Sequence, residues 1–172
     1  MIKNDLEYDV TLSWVNKMGR AIAMLERDEE KKNNDPDIWQ IHYDGVTSQR
    51  QDLLEQVTEY EALIAHNPKK PIVLQIESMD ELSDLLIKAR IAFKITQQEL
   101  AALCHLTTEE IQLFEDKDYQ NASYVDFLAV ANALGVEIVD GKFIAKLDDF
   151  FRQKLAHIRL QSNLDEDMKA AS

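Results

Sequence analysis

Thr96 with Glu99, and Thr107 with Glu110, place the same helix-start signal twice within ITQQELAALCHLTTEEIQLFED, residues 95–116. In each pair the threonine hydroxyl accepts from the backbone amide three residues on, and the glutamate reaches back to the threonine's own amide. Two of the amides that a helix start leaves open are satisfied in this way. Starts this close together leave room only for a helix of about two turns, a tight turn and a second short helix. Leu100 and Ala101 face inward on the first helix, and Ile111 returns to the core on the second. Ala101 is small enough for the two helices to cross closely.

The rest of the chain points to the same fabric. Four glycines and three prolines in 172 residues predict long uninterrupted helices. Residues 6–28 repeat apolar positions at helical spacing: Val10, Trp14, Ala21 and Leu25, widened by Val15, Met18 and Ile22. RDEEKKNNDPD reads as a charged loop. Asp35-Pro36 then starts a second long helix reaching about His66, because Asp caps free amides and Pro fits the first helical position. Its expected buried side is Ile38, Ile41, Leu53, Leu54, Val57, Leu63 and Ile64, with Gly45 as a bend or break. Residues 1–67 are thus expected to form an antiparallel helical hairpin that serves a dimer or a partner.

NPKKP (67–71) is a linker, and the β-branched run IVLQI (72–76) predicts a short strand. Ser78 with Glu81 opens a series of helices over 79–93, 97–104, 108–116 and 124–134, the last ended by Gly135. Asp140-Gly141 suits a tight turn and makes 136–145 a β-hairpin. A helix over about 146–161 buries Leu147, Phe150, Phe151, Leu155, Ile158 and Leu160, and the tail is expected to be disordered. The expectation is a mostly α protein in four parts: an N-terminal helical hairpin (1–67), a helix-turn-helix domain (78–136), a small β-hairpin with a C-terminal helix (137–162) and the tail (163–172).

Charge and chemistry narrow the function. The chain has 19 Lys and Arg against 32 Asp and Glu, a formal charge of −13. Residues 1–77 carry 9 basic and 15 acidic side chains (−6), 78–136 carry 4 and 10 (−6), and 137–172 carry 6 and 7 (−1). The helix-turn-helix segment is therefore as acidic as any other, which speaks against indiscriminate nucleic-acid binding. Cys104 alone excludes an internal disulfide and a thiolate metal site. His42, His66, His105 and His157 are scattered, so no metal site is expected. No Gly-rich phosphate loop, HExxH or GxSxG motif occurs, so no cofactor, catalytic residue or enzyme activity is expected. No apolar stretch is long enough to span a membrane, and MIKNDLEYDV is too acidic for a signal peptide. The expectation is a soluble, cytoplasmic protein with no membrane role.

The stretch LLIKARIAFKITQQELAALCHLTTEEIQLFEDKDYQNASYVDFLAVANALGV (85–136) resembles the Xre or lambda-repressor-like helix-turn-helix family along its whole length. The matching residues are Arg90, Ile95, Thr96, Gln97, Glu99, Leu100, Ala101, Ile111, Glu115, Ser123, Leu128, Ala131, Leu134 and Gly135. A narrower likeness covers most of the chain. Small antitoxin-like members of that family join an N-terminal helical hairpin ending as TEYEALI (58–64) does to segments like LIKARIAFKITQQELA and YQNAS. The resemblance implies a non-enzymatic DNA-binding transcription regulator, pairing as a homodimer to span two half-sites. It also implies an antitoxin of a toxin–antitoxin pair, whose second partner is a toxin or another basic protein. The sequence departs from the family at His105, where members usually carry Gly in a position that tends toward positive φ.

If operator DNA is the target, Thr107, Thr108, Glu109 and Gln112 are the candidate contacts, with Lys94 and Lys117 on phosphates. Gln112 can read an adenine edge, Thr108 can donate to phosphate, and Glu109 can accept from a cytosine amino group. Glu110 is a capping partner, Arg90 is expected to pair with Glu115 inside the domain, and Asp116 has no structural role in this reading. Trp14, Trp39 and Tyr43 are candidate partner contacts, the alternative being burial within the hairpin. A rival reading is an acidic interaction protein whose helix-turn-helix has lost DNA binding and contacts a basic partner.

Overall fold

The structure, a computed structural model, describes residues 1–142 and 144–170, with side chains through 159. Among the described residues it is mostly helical, with eight α-helices and no strand. The chain divides into two compact units, Met1–Glu137 and Ile138–Ser172.

In the first unit, α1 (Asp5–Arg27) starts on Asn4, whose side chain accepts from the Glu7 amide. The charged loop expected next contains a short helix, α2 (Glu29–Asn34). Asp28 caps it through the Lys31 amide, Glu29 and Glu30 occupy its first turn, and Lys31 and Lys32 its last, each charge complementing the helix dipole. α3 (Pro36–Ala65) starts on Asp35, which accepts from the Ile38 amide, with Pro36 in the first turn. It runs unbroken through Gly45.

α1 and α3 form the expected hairpin, but only part of each expected face is buried. Val15 is buried on α1, with Tyr8 and Leu12 packed against the main core, whereas Val10 and Trp14 stand 49% and 50% exposed. On α3, Val57, Tyr60 and Leu63 are buried, while Ile38, Ile41 and Ile64 are exposed. Both apolar stripes are wider than one seam can bury, and periodicity alone does not say which edge meets the other helix.

The amide of Asp80 donates to Ser78, a 3₁₀ turn Met79–Glu81 follows, and the Glu81 carboxylate accepts from the Glu77 amide. Then come α4 (Leu82–Ala92), α5 (Gln97–Cys104), α6 (Thr108–Asp116) and α7 (Tyr124–Ala133). The capping boxes at Thr96/Glu99 and Thr107/Glu110 are both complete. Ser123 caps α7, and Gly135 ends it at φ +64°, where the amides of Gly135 and Val136 return to the carbonyls of Asn132 and Ala131. One core joins Ile2, Val57, Tyr60 and Leu63 to Leu86, Leu100, Ile111 and Val130, so segments 1–67 and 78–136 share an interior.

The two β expectations are corrected. IVLQI has no regular secondary structure and no pairing strand among the described residues: Ile72 and Leu74 pack on the core and Val73 faces out. Residues 136–145 hold no β-hairpin among the described residues, Phe143 lying outside them. Ile138, Val139 and Ile144 are exposed, and a two-stranded ribbon with no face to bury is marginal in water.

In the second unit, α8 (Asp149–Ala170) has a helical backbone over most of the tail expected to be disordered; residues 171 and 172 lie outside the described residues. Leu147, Phe150, Phe151 and Ile158, expected to be buried, are exposed, and the Leu160 side chain lies outside the described residues. No helix among the described residues is long and apolar enough to cross a membrane.

Candidate nucleic-acid interface

A buried ion pair sets α6 in place. Arg90, near the end of α4, donates from Nε to Glu115 Oε1 at 2.5 Å and from its second Nη to Oε2 at 2.8 Å. This is the planar two-point pairing that a guanidinium makes with a carboxylate. Gln97, the first residue of α5, donates to the same Oε2 at 2.8 Å. Glu115 is 1% exposed, so one carboxylate ties three helices together in the interior. The Arg90–Glu115 pair expected from the sequence is therefore present. Lys3 adds a contact that the sequence does not announce: its ammonium donates to the Glu115 backbone carbonyl at 2.6 Å and to Asp118 at 2.7 Å. A cation there complements the negative end of the α6 dipole.

The turn between α5 and α6 depends on His105, held at φ +58° and ψ 34°, beyond which the Leu106 amide returns to the Ala101 carbonyl. A Cβ in this left-handed region crowds the following carbonyl, which is why glycine is favoured there. Lys94, between α4 and α5, is also left-handed at φ +59°. Its ammonium donates to the carbonyls of Leu63 and Ile64 at the end of α3.

The structure brings some of the candidate DNA contacts together and separates others. Thr108, Glu109, Gln112 and Asp116 fall on one outer face of α6, with Thr108 half-buried and the other three exposed. Thr107 is occupied by its cap, its hydroxyl accepting from the Glu110 amide at 3.2 Å and donating to the Glu110 carboxylate at 2.9 Å. Lys94 serves as a cap of α3, and Lys88 pairs with Glu59 at 2.5 Å. Lys117 is exposed just past α6 and, among the described residues, forms no ion pair.

Trp39 and Tyr43 stack with ring centroids 5.1 Å apart at the outer end of the hairpin. The Trp39 indole donates to the Leu25 carbonyl at 3.0 Å, and the Tyr43 hydroxyl donates to Glu26 at 3.1 Å. That hydrogen bond raises the Tyr43 phenol above its ordinary value. Trp14 lies roughly 16 Å away from Leu25 along α1, with the Lys17 ammonium 4.4 Å over its ring. Leu113 beside the α6 face, Leu103 on α5, and Tyr124 and Val125 on α7 are further exposed apolar residues not singled out from the sequence, and Leu128, matched to the family, is exposed with them. The available signal is that α7 is apolar over more of its circumference than one buried face requires. Among the described residues no group of His, Cys, Asp and Glu is arranged to hold a metal ion.

Comparison with known protein families, curated proteins and solved structures finds no match.

Proposed function

We propose that the chain is a helix-turn-helix transcription regulator of the Xre or lambda-repressor type, acting as a homodimer and reading operator DNA with α6. The observation that supports this reading is the Arg90–Glu115–Gln97 tie, which holds α6 against α4 and α5 with Thr108, Glu109 and Gln112 outward on one face. In this reading Gln112 takes an adenine edge, Glu109 a cytosine amino group, and Thr108 and Lys117 the phosphates. Thr107 and Lys94 support the geometry through their caps. With so few cations at the face, log affinity falls with log salt by a slope of only about −1 to −2. The likeness to antitoxin-like regulators adds a toxin or another basic protein as a second partner.

One observation favours a second reading. The first unit, with 13 Lys and Arg against 26 Asp and Glu, carries the whole net charge of −13. Glu109, Asp116 and the half-exposed Leu113 then present an acidic and partly apolar face to a basic protein. Selection from a random duplex library at low salt, repeated with Gln112→Ala, separates the two. An enriched sequence whose binding Gln112→Ala abolishes, with helix content unchanged, supports the regulator. No enrichment at any salt refutes it, and a stoichiometric basic protein still held by Gln112→Ala supports the second reading.

A further inference from the structure

The hairpin of α1 and α3 displays large apolar side chains that its own seam leaves uncovered. Leu6, 75% exposed, is followed every fourth residue by the half-exposed Val10 and Trp14, so the three line up along α1. Met24, 72% exposed, continues the stripe at the far end. There, Ala21, Met24 and Leu25 of α1 and Ile41, Gly45 and Val46 of α3 line an open groove of about 510 Å³. The core of the unit reaches Tyr8 and Leu12 of α1 and Val57, Tyr60 and Leu63 of α3. Beyond these residues the hairpin is an arm, and two helices alone bury only one seam.

The charges on this arm are sorted by helix except for Glu26 on α1 and Arg50 on α3, which are engaged across the hairpin with Tyr43 and beside Gly19. Lys17, Arg20 and Arg27 are exposed along α1, flanking its apolar stripe; Asp37, Asp44 and Asp52 are exposed along α3. Contacts across the hairpin set the levels: the Leu25 carbonyl meets Trp39, Glu26 meets Tyr43, Gly19 lies beside Arg50, and Asp5 meets Tyr60. Lys17 is therefore level with Asp52, Arg27 with the first turns of α3 from Asp37, and Arg20 lies about one and a half turns from Asp44, within reach of an extended arginine side chain.

We propose that this arm is a homodimer interface, with α1 of each copy lying antiparallel against α3 of the other to make a four-helix bundle. The proposal rests on the homodimer of the regulator reading and names its surface. A twofold axis along the arm brings Lys17, Arg20 and Arg27 of one copy to within side-chain reach of the levels of Asp52, Asp44 and Asp37 of the second, at both edges at once. The surface is self-complementary, as an interface between identical patches must be. Pairing α1 with α1 instead sets like charges together. The apolar stripe supplies the association energy, and the charges set register and partner.

Sedimentation of the full chain over a concentration series tests this without reference to DNA. The wild type sediments as a dimer, and Trp14→Glu shifts it to monomer with unchanged helix content. Arg20→Asp weakens the dimer by about tenfold, since two pairs are reversed at once, and Arg20→Asp with Asp44→Arg restores it. Val125→Asp, exposed on α7, leaves the dimer intact. A monomeric wild type overturns the proposal, as does a dimer that survives both Trp14→Glu and Arg20→Asp or is broken by Val125→Asp. An intact, arm-dependent dimer that selects no DNA leaves this interface standing and removes only the operator reading.

Discussion

Replacing Glu115 with leucine takes the acceptor from three hydrogen bonds at once, two from Arg90 and one from Gln97. The Arg90 guanidinium, 10% exposed, is left in the interior with the Ile95 carbonyl at 3.1 Å and the Lys3 carbonyl at 3.5 Å. Removing one member of a buried ion pair costs about 3–5 kcal/mol, because the other charge stays desolvated and unpaired. That is a large part of the roughly 5–15 kcal/mol that holds a typical domain folded. In urea the midpoint falls by about 2 M, for a slope of about 2 kcal/mol per molar. Arg90→Met together with Glu115→Leu removes both charges and regains most of the loss. Far-UV circular dichroism reads the helices, and fluorescence of Trp14 and Trp39 reads the hairpin; because the core is shared, both probes report one transition. A loss below about 1 kcal/mol for Glu115→Leu, or a double variant no more stable than the single one, would refute the reasoning.

Other outcomes follow from single residues. His105→Gly relieves the left-handed strain of the α5–α6 turn and raises stability by about 0.5–1 kcal/mol in urea unfolding; a lower midpoint contradicts this. Lys94→Met removes the ammonium from the end of α3 and lowers stability by about 1 kcal/mol, while any operator affinity stays nearly constant in a gel-shift titration. Burial, then the hydrogen bond to Asp5, pushes the Tyr60 phenol up to about 12. The folded protein thus keeps a proton that the unfolded chain releases near pH 10. This contribution is complete below about pH 10 and is lost as pH rises toward about 12, so Tyr60→Phe makes the alkaline fall of the urea midpoint shallower than in wild type. Burial also raises the Cys104 thiol, so iodoacetamide labels it more slowly in the native protein than in urea at the same mildly alkaline pH.

Local chemistry was legible in the sequence and distant contacts were not. Asp35, Thr96, Thr107 and Gly135 end or begin helices where their side chains or backbone permit, because a cap is decided within three or four residues. Arg90 and Glu115 were legible through the resemblance of their whole stretch rather than through spacing. The same local reasoning failed at Asp140-Gly141, where a good turn has no third element to cover its strands. At 29–34 it overlooked a helix whose acids-first, bases-last order is itself a helix signature. Of the α6 face, the set Thr108, Glu109 and Gln112 was named through the resemblance to the family, and helical spacing is consistent with it. That Lys94 is drawn to α3 was not readable, since its partners lie about thirty residues upstream.

Ile2, 2% exposed in the core, and Lys3, bonded to Glu115 and Asp118, give the first unit a particular order of assembly. During synthesis both residues leave the ribosome long before α6 exists. The hairpin can coil as soon as α3 emerges, since its contacts need only a short turn to close. The seat for Ile2 and Lys3 is built only when the chain has been made past Asp118. Contacts this far apart in sequence slow folding, and until they close the unit has an exposed isoleucine and an unfinished floor beneath α6. Ile2 and Lys3 therefore reach their native places only after α6 has been made, although both precede it in the chain by more than a hundred residues.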